Sequence, residues 1–258
     1  MQMIDIGELK LHVTQAGTGR PLVLLHALGT DLRLWDAIAP QLPPGLRLIR
    51  CDLRGHGLSD CPEGPYPMGA LVRDAEALLD RLEATGAVVV GCSLGGLVAQ
   101  GLAIKRPDLV AGLVLSNTAA RIGTAGMWDE RIATVRAGGI AALSEATLAR
   151  WFPPAFHATP DIARWRHMLE RTPAEGWMGC AAAISGTDFH GPLQGLRLPT
   201  LGIAGSEDGS TPPDLVRETV ELIPGAEFAL IRRAGHLPMV DRAQDYAAAL
   251  SGFLGRLG

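Results

Sequence analysis

Short apolar runs alternate with longer segments of helical period along most of the 258-residue chain. The apolar runs are bounded by Gly and Pro and are rich in Val, Ile and Leu, which is typical of buried strands. The segments between them carry an apolar stripe on one helix face. This alternation predicts an α/β fold with an open, mostly parallel sheet and helices on both faces. Strands are predicted at residues 9–15, 21–26, 46–51, 87–92, 110–116, 199–204 and 227–231, and helices at 32–42, 68–82, 94–105, 214–223 and 243–254.

The alternation stops between residues 117 and 190. Helical spacing continues through this segment, but no convincing strand interrupts it. We therefore predict an all-helical cap at residues 117–190, inserted after about the sixth strand. The core domain would then be formed by residues 1–116 together with residues 191–258.

Composition narrows the class of protein. With 47% hydrophobic and 19% charged residues, the chain has the profile of one large globular domain, or of a domain with an insertion. Its 23 basic residues are spread along the chain and its net charge is −4, so we expect no nucleic-acid partner. The N-terminus lacks a signal-peptide pattern and the uncharged stretch 84–104 is interrupted by glycines, so we expect a cytoplasmic protein with no membrane partner.

The four cysteines show no C-x-x-C spacing and no nearby histidine pair. Neither a zinc site nor a redox dithiol is therefore predicted, and no metal is expected.

The segment Gly91-Cys-Ser-Leu-Gly95 fits the pattern G-x-S-x-G at the junction of a predicted strand and a predicted helix. Such a match could be only a Gly-rich turn, but a strand before it and a helix after it indicate a nucleophile elbow. The two glycines leave room for a tight turn that raises the hydroxyl group at a helix N-terminus. Ser93 is therefore the candidate nucleophile.

A serine nucleophile needs a base, and the base needs an orienting acid. His236 lies just beyond the last predicted strand and is the candidate base. The loop after strand 199–204 contains both Glu207 and Asp208; we favour Asp208 as the acid, with Glu207 as a solvated loop carboxylate. The other histidines are less favourably placed: His12 in an edge-like strand, His26 and His56 in loops where a structural role is favoured, and His157, His167 and His190 in the cap.

The tetrahedral intermediate of acyl transfer also requires two backbone donors for its oxyanion. Leu94 follows the nucleophile directly and supplies one N–H. We predict that Leu28, in the loop after strand 21–26, supplies the other.

With these motifs the sequence resembles the α/β-hydrolase fold superfamily, through Asp52-Leu-Arg-Gly-His-Gly-Leu-Ser59, the elbow at Ser93, the acid loop and Ala234-Gly-His236. Within it the chain resembles the 3-oxoadipate enol-lactonases of the bacterial β-ketoadipate pathway. The narrower resemblance rests on residues 26–36 and 116–120 and on the cap segments 122–139 and 149–152, and extends over nearly the whole chain. The chain departs from this family at Glu207, where an uncharged residue or His is usual, and near Gly209, where Pro or Asn-like residues are usual.

The resemblance implies hydrolysis of 3-oxoadipate enol-lactone to 3-oxoadipate through an acyl-enzyme on Ser93, without a cofactor. The partner is then a small anionic lactone, whose acetate arm needs a cation inside the pocket. The cap contains seven arginines and seven acids. Arg131 is the candidate because Trp128 and Ile132 flank it at helical spacing; a solvated surface arginine is the alternative. Trp128 and Trp151 are candidate pocket residues, with packing inside the cap as the alternative for each.

Two other functions fit the same motifs. The first is a general carboxylesterase or cofactor-free perhydrolase that uses the same triad, because a fold does not determine a substrate. The second is a ligand-sensing protein that retains a hydrolase pocket and signals through its cap; the complete triad argues against it.

Overall fold

The computed structural model describes residues 1–257, which form one eight-stranded sheet covered by helices. The strands are β1 (Gln2–Asp5), β2 (Lys10–Ala16), β3 (Arg20–Leu25), β4 (Leu46–Cys51), β5 (Ala87–Cys92), β6 (Val110–Ser116), β7 (Thr200–Gly205) and β8 (Glu227–Ile231). Their order across the sheet is β1-β2-β4-β3-β5-β6-β7-β8. The pairs β1–β2 and β2–β4 are antiparallel, and all other neighbours are parallel. The mostly parallel sheet is therefore confirmed.

The helices of the core are α1 (Met68–Arg81), α2 (Leu94–Lys105), α9 (Pro213–Glu221), α10 (Pro238–Asp241) and α11 (Ala243–Arg256). Those between β6 and β7 are α3 (Ala125–Gly138), α4 (Ala141–Trp151), α5 (Pro154–His157), α6 (Ile162–Glu170), α7 (Ala174–Ser185) and α8 (His190–Leu193). No strand occurs between β6 and β7, so the insertion after the sixth strand is helical. Within residues 1–257, no helix combines the length and the apolar character that a membrane crossing needs.

Seven strands were predicted, and all seven are present with ends within one residue of the predicted ones. The predicted helix at 32–42 is wrong: two short 3-10 helices, Leu32–Trp35 and Ala39–Gln41, occupy this segment. The strand β1 was missed because none of its side chains is fully buried, so it lacks an apolar alternation. The placement of His12 in an edge-like strand is also wrong, since β2 lies between β1 and β4 and His12 is buried.

The centre of the sheet explains where a site can form. Every residue of β5 is buried, and helices cover both faces of this part of the sheet, so the polar loops emerge only at the strand ends. In a parallel sheet the carboxyl ends of the strands lie along one edge, where ligands bind. The loops that follow β3, β5, β6, β7 and β8 therefore meet at this edge, beneath the cap.

Candidate active site

The elbow at Ser93 joins β5 to α2 in a strained conformation. Ser93 has a φ of +54° and a ψ of −113°, a region that residues with a Cβ rarely adopt. Its amide donates to the carbonyl of Ser116 at 3.0 Å, and Thr118 Oγ1 donates to its carbonyl at 2.7 Å. A Cβ at Gly91 would collide with the carbonyl of Gly95, and a Cβ at Gly95 with that of Leu25. The turn therefore requires both glycines.

His236 and Asp208 form a buried hydrogen-bonded pair. The Nδ1 of His236 lies 2.9 Å from Oδ2 of Asp208, and both side chains are almost fully buried. Because Nδ1 bonds the carboxylate, Nε2 is the nitrogen left to face a reacting group. His236 and Ser93 line the same cavity. Glu207, the other carboxylate of this loop, is exposed to solvent. The structure thus brings together Ser93, His236 and Asp208, and leaves Glu207 outside.

Asp208 accepts several other hydrogen bonds. Ser210 N and Thr211 N donate to Oδ1 at 2.7 and 3.0 Å, while Thr211 Oγ1 and Asn117 Nδ2 donate to Oδ2, each at 2.8 Å. Burial alone would raise the pKa of Asp208, but the charge of His236 and the hydrogen bonds from His236, Asn117 and Ser210 hold the pKa below its usual value. The carboxylate therefore stays ionised.

Asn117 was not predicted as part of this cluster. It follows β6 at the same edge of the sheet, with a φ of +46°, and its Nδ2 also lies 3.3 Å from the carbonyl of Gly235. The signal that could have indicated it is positional: a polar residue directly after a buried parallel strand.

Two backbone amides beside Ser93 and its cavity have no hydrogen-bond acceptor among the described residues. Leu28 lines the cavity, and Leu94 is the first residue of α2, directly after Ser93. Within residues 1–257, neither amide donates a hydrogen bond to another protein atom. Both N–H groups are available for an oxyanion, and the N-terminus of α2 adds a positive partial charge there.

The cavity above Ser93 is small, with about 90 Å³ of free space. Its walls come from the elbow, the loops after β3, β6, β7 and β8, and the cap helices α3, α4 and α7. The lining residues are Leu28, Ser93, Ile122, Gly123, Met127, Trp128, Arg131, Thr147, Arg150, Trp151, Trp177, Ser210 and His236. None of them is acidic. The predicted residues Trp128, Arg131 and Trp151 all lie in this wall, whereas Arg150 and Trp177 were not singled out by the sequence.

Two half-buried arginines face this cavity without a carboxylate partner in the described part of the chain. The guanidinium of Arg131 lies over the ring of Trp128, 4.9 Å from its centroid, and Arg150 Nη2 donates to Thr147 Oγ1 at 3.2 Å. Burial, and then the positive charge of Arg150, lower the pKa of Arg131 to about 10. Burial also lowers the pKa of Arg150. The pair is therefore an uncompensated positive charge that an anion would stabilise.

The cap helix α4 is bonded directly to the loops that carry the acid and the base. The carbonyl of Arg150 accepts from Gly209 N at 3.1 Å, and the carbonyl of Trp151 accepts from His236 N at 2.8 Å. A Cβ at Gly235 would collide with the Trp151 carbonyl. The loop after β8 that carries His236, the histidine loop, can therefore approach α4 only because residue 235 is Gly. The described residues contain no group of three or more His, Cys, Asp or Glu side chains that could hold a metal ion.

Comparisons with known proteins identify the family of the chain. Residues 20–138 match the family described as alpha/beta hydrolase fold. The chain is 32% identical over 256 residues to 3-oxoadipate enol-lactonase 2 of Acinetobacter baylyi, covering 95% of this chain and 92% of the relative. It is 30% identical over 247 residues to a pimeloyl-[acyl-carrier protein] methyl ester esterase of Klebsiella pneumoniae, covering 92% and 94%. The crystal structure of the enol-lactonase from Burkholderia xenovorans superimposes with a TM-score of 0.95 at 32% identity, covering 98% of this chain and 100% of the other. The chain therefore belongs to the alpha/beta hydrolase family and is a carboxylic ester hydrolase.

Proposed function

We propose that this hydrolase opens 3-oxoadipate enol-lactone to 3-oxoadipate, a step of bacterial aromatic catabolism through the β-ketoadipate pathway. The observation that carries the proposal is the pair Arg131 and Arg150, which face the Ser93 cavity with no carboxylate between them. A small anionic substrate supplies the missing negative charge. The similarity to enol-lactonases in sequence and in structure supports the same substrate class.

In the first half of the reaction, Ser93 Oγ attacks the lactone carbonyl carbon while His236 Nε2 takes the hydroxyl proton. Asp208 keeps the imidazole in the tautomer with its proton on Nδ1 and stabilises the imidazolium that forms. The carbonyl oxygen becomes an oxyanion, which accepts from the amides of Leu28 and Leu94. The ring C–O bond then breaks and the enol oxygen leaves with the proton from His236. Ketonisation of this enol makes the ring opening effectively irreversible.

In the second half, His236 removes a proton from water, and the hydroxide attacks the acyl carbon of the ester on Ser93. Collapse of the second tetrahedral intermediate breaks the bond to Oγ, and His236 returns its proton to Ser93. One water molecule is consumed for each lactone opened. Apart from the lactone and this water molecule, these steps use only groups of the chain itself.

The size of the cavity favours the lactone over a longer acyl chain. Sites for drug-sized ligands span roughly 300–1,000 Å³, whereas this cavity offers about 90 Å³. A longer acyl chain attached to a carrier protein, as in the name of the methyl ester esterase relative, would need more room than this cavity provides. A general carboxylesterase for small neutral esters is the second candidate, because the triad and the amides would act on such esters equally well.

The first experiment follows the loss of ultraviolet absorbance of freshly generated enol-lactone, in parallel with hydrolysis of p-nitrophenyl acetate. We expect kcat/KM for the lactone to exceed that for the acetate by several decades, and Ser93→Ala to lose both activities. Equal or better turnover of the acetate would establish the general carboxylesterase instead.

The second experiment tests the arginine pair. We expect Arg131→Ala and Arg150→Ala each to raise KM for the lactone by roughly 10- to 100-fold, the usual loss for one charge-assisted contact, while KM for the neutral acetate stays within twofold. Arg136→Ala is the matched control, because Arg136 lies on the exposed side of the same helix as Arg131. If KM for the lactone is unchanged in both site variants, the arginines do not bind the substrate.

A further inference from the structure

Two buried histidines outside the triad lie between the loop of residues 26–30, which carries Leu28, and the loop of residues 52–59. Both imidazoles are fully buried, and their ring centroids are 5.1 Å apart. Neither His26 nor His56 lines the Ser93 cavity. Four of their hydrogen bonds nevertheless end on the backbone of these two loops. Longer contacts join His26 Nδ1 to Thr30 Oγ1 at 3.4 Å and His56 Nδ1 to Cys180 Sγ at 4.0 Å.

The bonds of His56 fix its tautomer. The amide of Gly29 donates to His56 Nε2 at 3.0 Å, so this nitrogen carries no proton. Nδ1 therefore carries the proton, and it lies 3.2 Å from the carbonyl of Arg54, to which it donates. The ring thus accepts a hydrogen bond from the loop of residues 26–30 and connects that loop to the loop of residues 52–59.

His26 makes the reciprocal connection. The amide of Leu53 donates to His26 Nε2 at 2.9 Å, and His26 Nδ1 donates to the carbonyl of Ala27 at 2.8 Å. Each loop thus contributes one imidazole that accepts a hydrogen bond from a backbone amide of the other loop.

The Ala27 carbonyl belongs to the peptide group that contains the Leu28 N–H. Besides His26, the amide and the hydroxyl group of Thr30 donate to this oxygen, at 3.1 and 2.9 Å. A trans peptide is planar, with its C=O and N–H pointing in opposite directions. Three donors on the oxygen therefore fix where the Leu28 N–H points, and bonds along such a chain also polarise one another.

Burial keeps His56 in the form that this arrangement requires. Desolvation, with a smaller contribution from the charge of His26, lowers the pKa of His56 to about 3. Desolvation lowers the pKa of His26 as well. A neutral ring keeps Nε2 as an acceptor for the Gly29 amide at any pH at which a serine hydrolase works.

We propose that His56 is a positioning residue for the oxyanion hole: by holding Gly29, and together with His26, it fixes the direction of the Leu28 N–H toward the oxyanion. This inference rests on the proposed role of Leu28 but not on the identity of the substrate. Its consequence is that His56 contributes to transition-state stabilisation without touching the substrate.

The test uses p-nitrophenyl acetate, so it is independent of the lactone. We expect His56→Leu to lower kcat by roughly 10- to 100-fold, somewhat less than the loss of a whole oxyanion donor, with KM within about twofold. His56→Gln, whose amide oxygen can accept from Gly29, should recover part of this loss. A merely structural role would not produce this difference between the two variants in the folded protein.

Two matched inhibitors separate oxyanion stabilisation from ordinary binding. With 1,1,1-trifluoro-2-hexanone, Ser93 Oγ adds to the carbonyl carbon and the carbonyl oxygen becomes an oxyanion; 2-hexanone has the same skeleton but forms almost no such adduct. We expect Ki for the trifluoro ketone to rise in His56→Leu by the same factor as kcat/KM falls, while Ki for 2-hexanone stays within about twofold. Equal weakening of both inhibitors, or of neither, would overturn the proposal.

His12→Gln is the control for general destabilisation, because His12 is also buried and bonds Asp52 at 2.7 Å but makes no bond to residues 26–30. We expect it to lower Tm and leave kcat unchanged.

A second variant tests the proposal if His56→Leu does not fold. Thr30→Val removes one donor from the Ala27 carbonyl at nearly constant volume, and it should lower kcat two- to fivefold with the same inhibitor pattern. An unchanged kcat in Thr30→Val refutes the proposal. Activity remaining in Ser93→Ala would instead overturn the assignment of the nucleophile.

Discussion

Asp241 is a carboxylate whose ionised form is less favourable in the folded protein than in the unfolded chain. Its Oδ2 accepts from Gly235 N at 2.8 Å, but its Oδ1 is buried and has no partner among the described residues. Burial raises its pKa from 3.8 to about 6, and the bond from Gly235 offsets this only in part. The folded state therefore binds a proton more readily than the unfolded chain. Ionisation of Asp241 thus destabilises the protein increasingly between about pH 4 and pH 6, and fully above pH 6.

Asp241→Asn removes this ionisation and keeps an oxygen that can accept from Gly235. We expect the unfolding free energy of the variant, relative to wild type, to rise by roughly 2 kcal/mol between pH 4.5 and pH 7.5. Urea denaturation at the two pH values measures this change, and any constant effect of the substitution cancels in the comparison. A difference between variant and wild type that does not depend on pH would contradict the raised pKa.

Local patterns determine how far single residues can be assigned from the sequence. The positions of Ser93 and His236 follow from short motifs at strand ends, whereas the acid loop offers both Glu207 and Asp208, of which Asp208 is favoured. The structure places the side chains of Ser93, His236 and Asp208 together. For Asn117 the sequence offers only its position directly after a buried strand. The place of Arg150 depends on how the cap packs, which a single sequence does not show.

At the scale of elements, the bond between α4 and the histidine loop depends on one close approach. In Gly235→Ala, the new methyl group collides with the carbonyl of Trp151. The hydrogen bond from His236 N to this carbonyl must therefore lengthen. We expect kcat for p-nitrophenyl acetate to fall by roughly 10-fold or more, because a small displacement of a catalytic group is costly. Steady-state kinetics and a thermal melt on the same sample measure both effects.

Gly126→Ala is the matched control, since a Cβ at this position of α3 meets no atom within 4 Å. It should leave kcat unchanged and stability no lower than in wild type, because Ala favours a helix more than Gly does. A full loss of activity in both variants would show that the α4 contact is not the cause.

The same scale shows why some elements were predicted and others missed. The strand β5 is fully buried and β6 is buried except at Ala111, and the apolar stripe of α1 packs on the core, so burial leaves a clear pattern in their sequences. The segment 32–42 has apolar residues at helical spacing, but Pro40 and bonds between residues three apart divide it into two short 3-10 helices. The exposed β1 has no apolar face to reveal it.

At the scale of the molecule, a buried ion pair joins the loop of residues 52–59 to α1. Arg54 donates to both oxygens of Asp74, at 2.5 and 2.6 Å, and both side chains are buried. Removal of one partner leaves an uncompensated buried charge. We expect Arg54→Met to lower the unfolding free energy by roughly 3–5 kcal/mol, measured by urea denaturation at pH 7.

The double variant Arg54→Met, Asp74→Leu should recover most of this loss, because no buried charge then remains. Arg106 offers a comparison at the surface. It pairs with Glu76 and with the exposed Asp80 and Asp108, and Arg106→Ala should lower the unfolding free energy less than Arg54→Met does. If the double variant is as unstable as Arg54→Met alone, lost packing and not unpaired charge explains the effect.

The attachment of α4 to Gly209 and His236 bears on how such hydrolases can acquire new substrates. A cap is often regarded as an exchangeable module, so that a chimera would combine the chemistry of one parent with the selectivity of another. Here Arg150 and Trp151 line the substrate pocket, and their carbonyls also hold the two catalytic loops by accepting from Gly209 N and His236 N. A graft that replaces α4 therefore exchanges the support of the catalytic loops together with the pocket wall. The grafted helix must end with the same backbone geometry as α4. Changes to side chains on α4 and α3 are accordingly the route to altered selectivity that leaves the reaction intact.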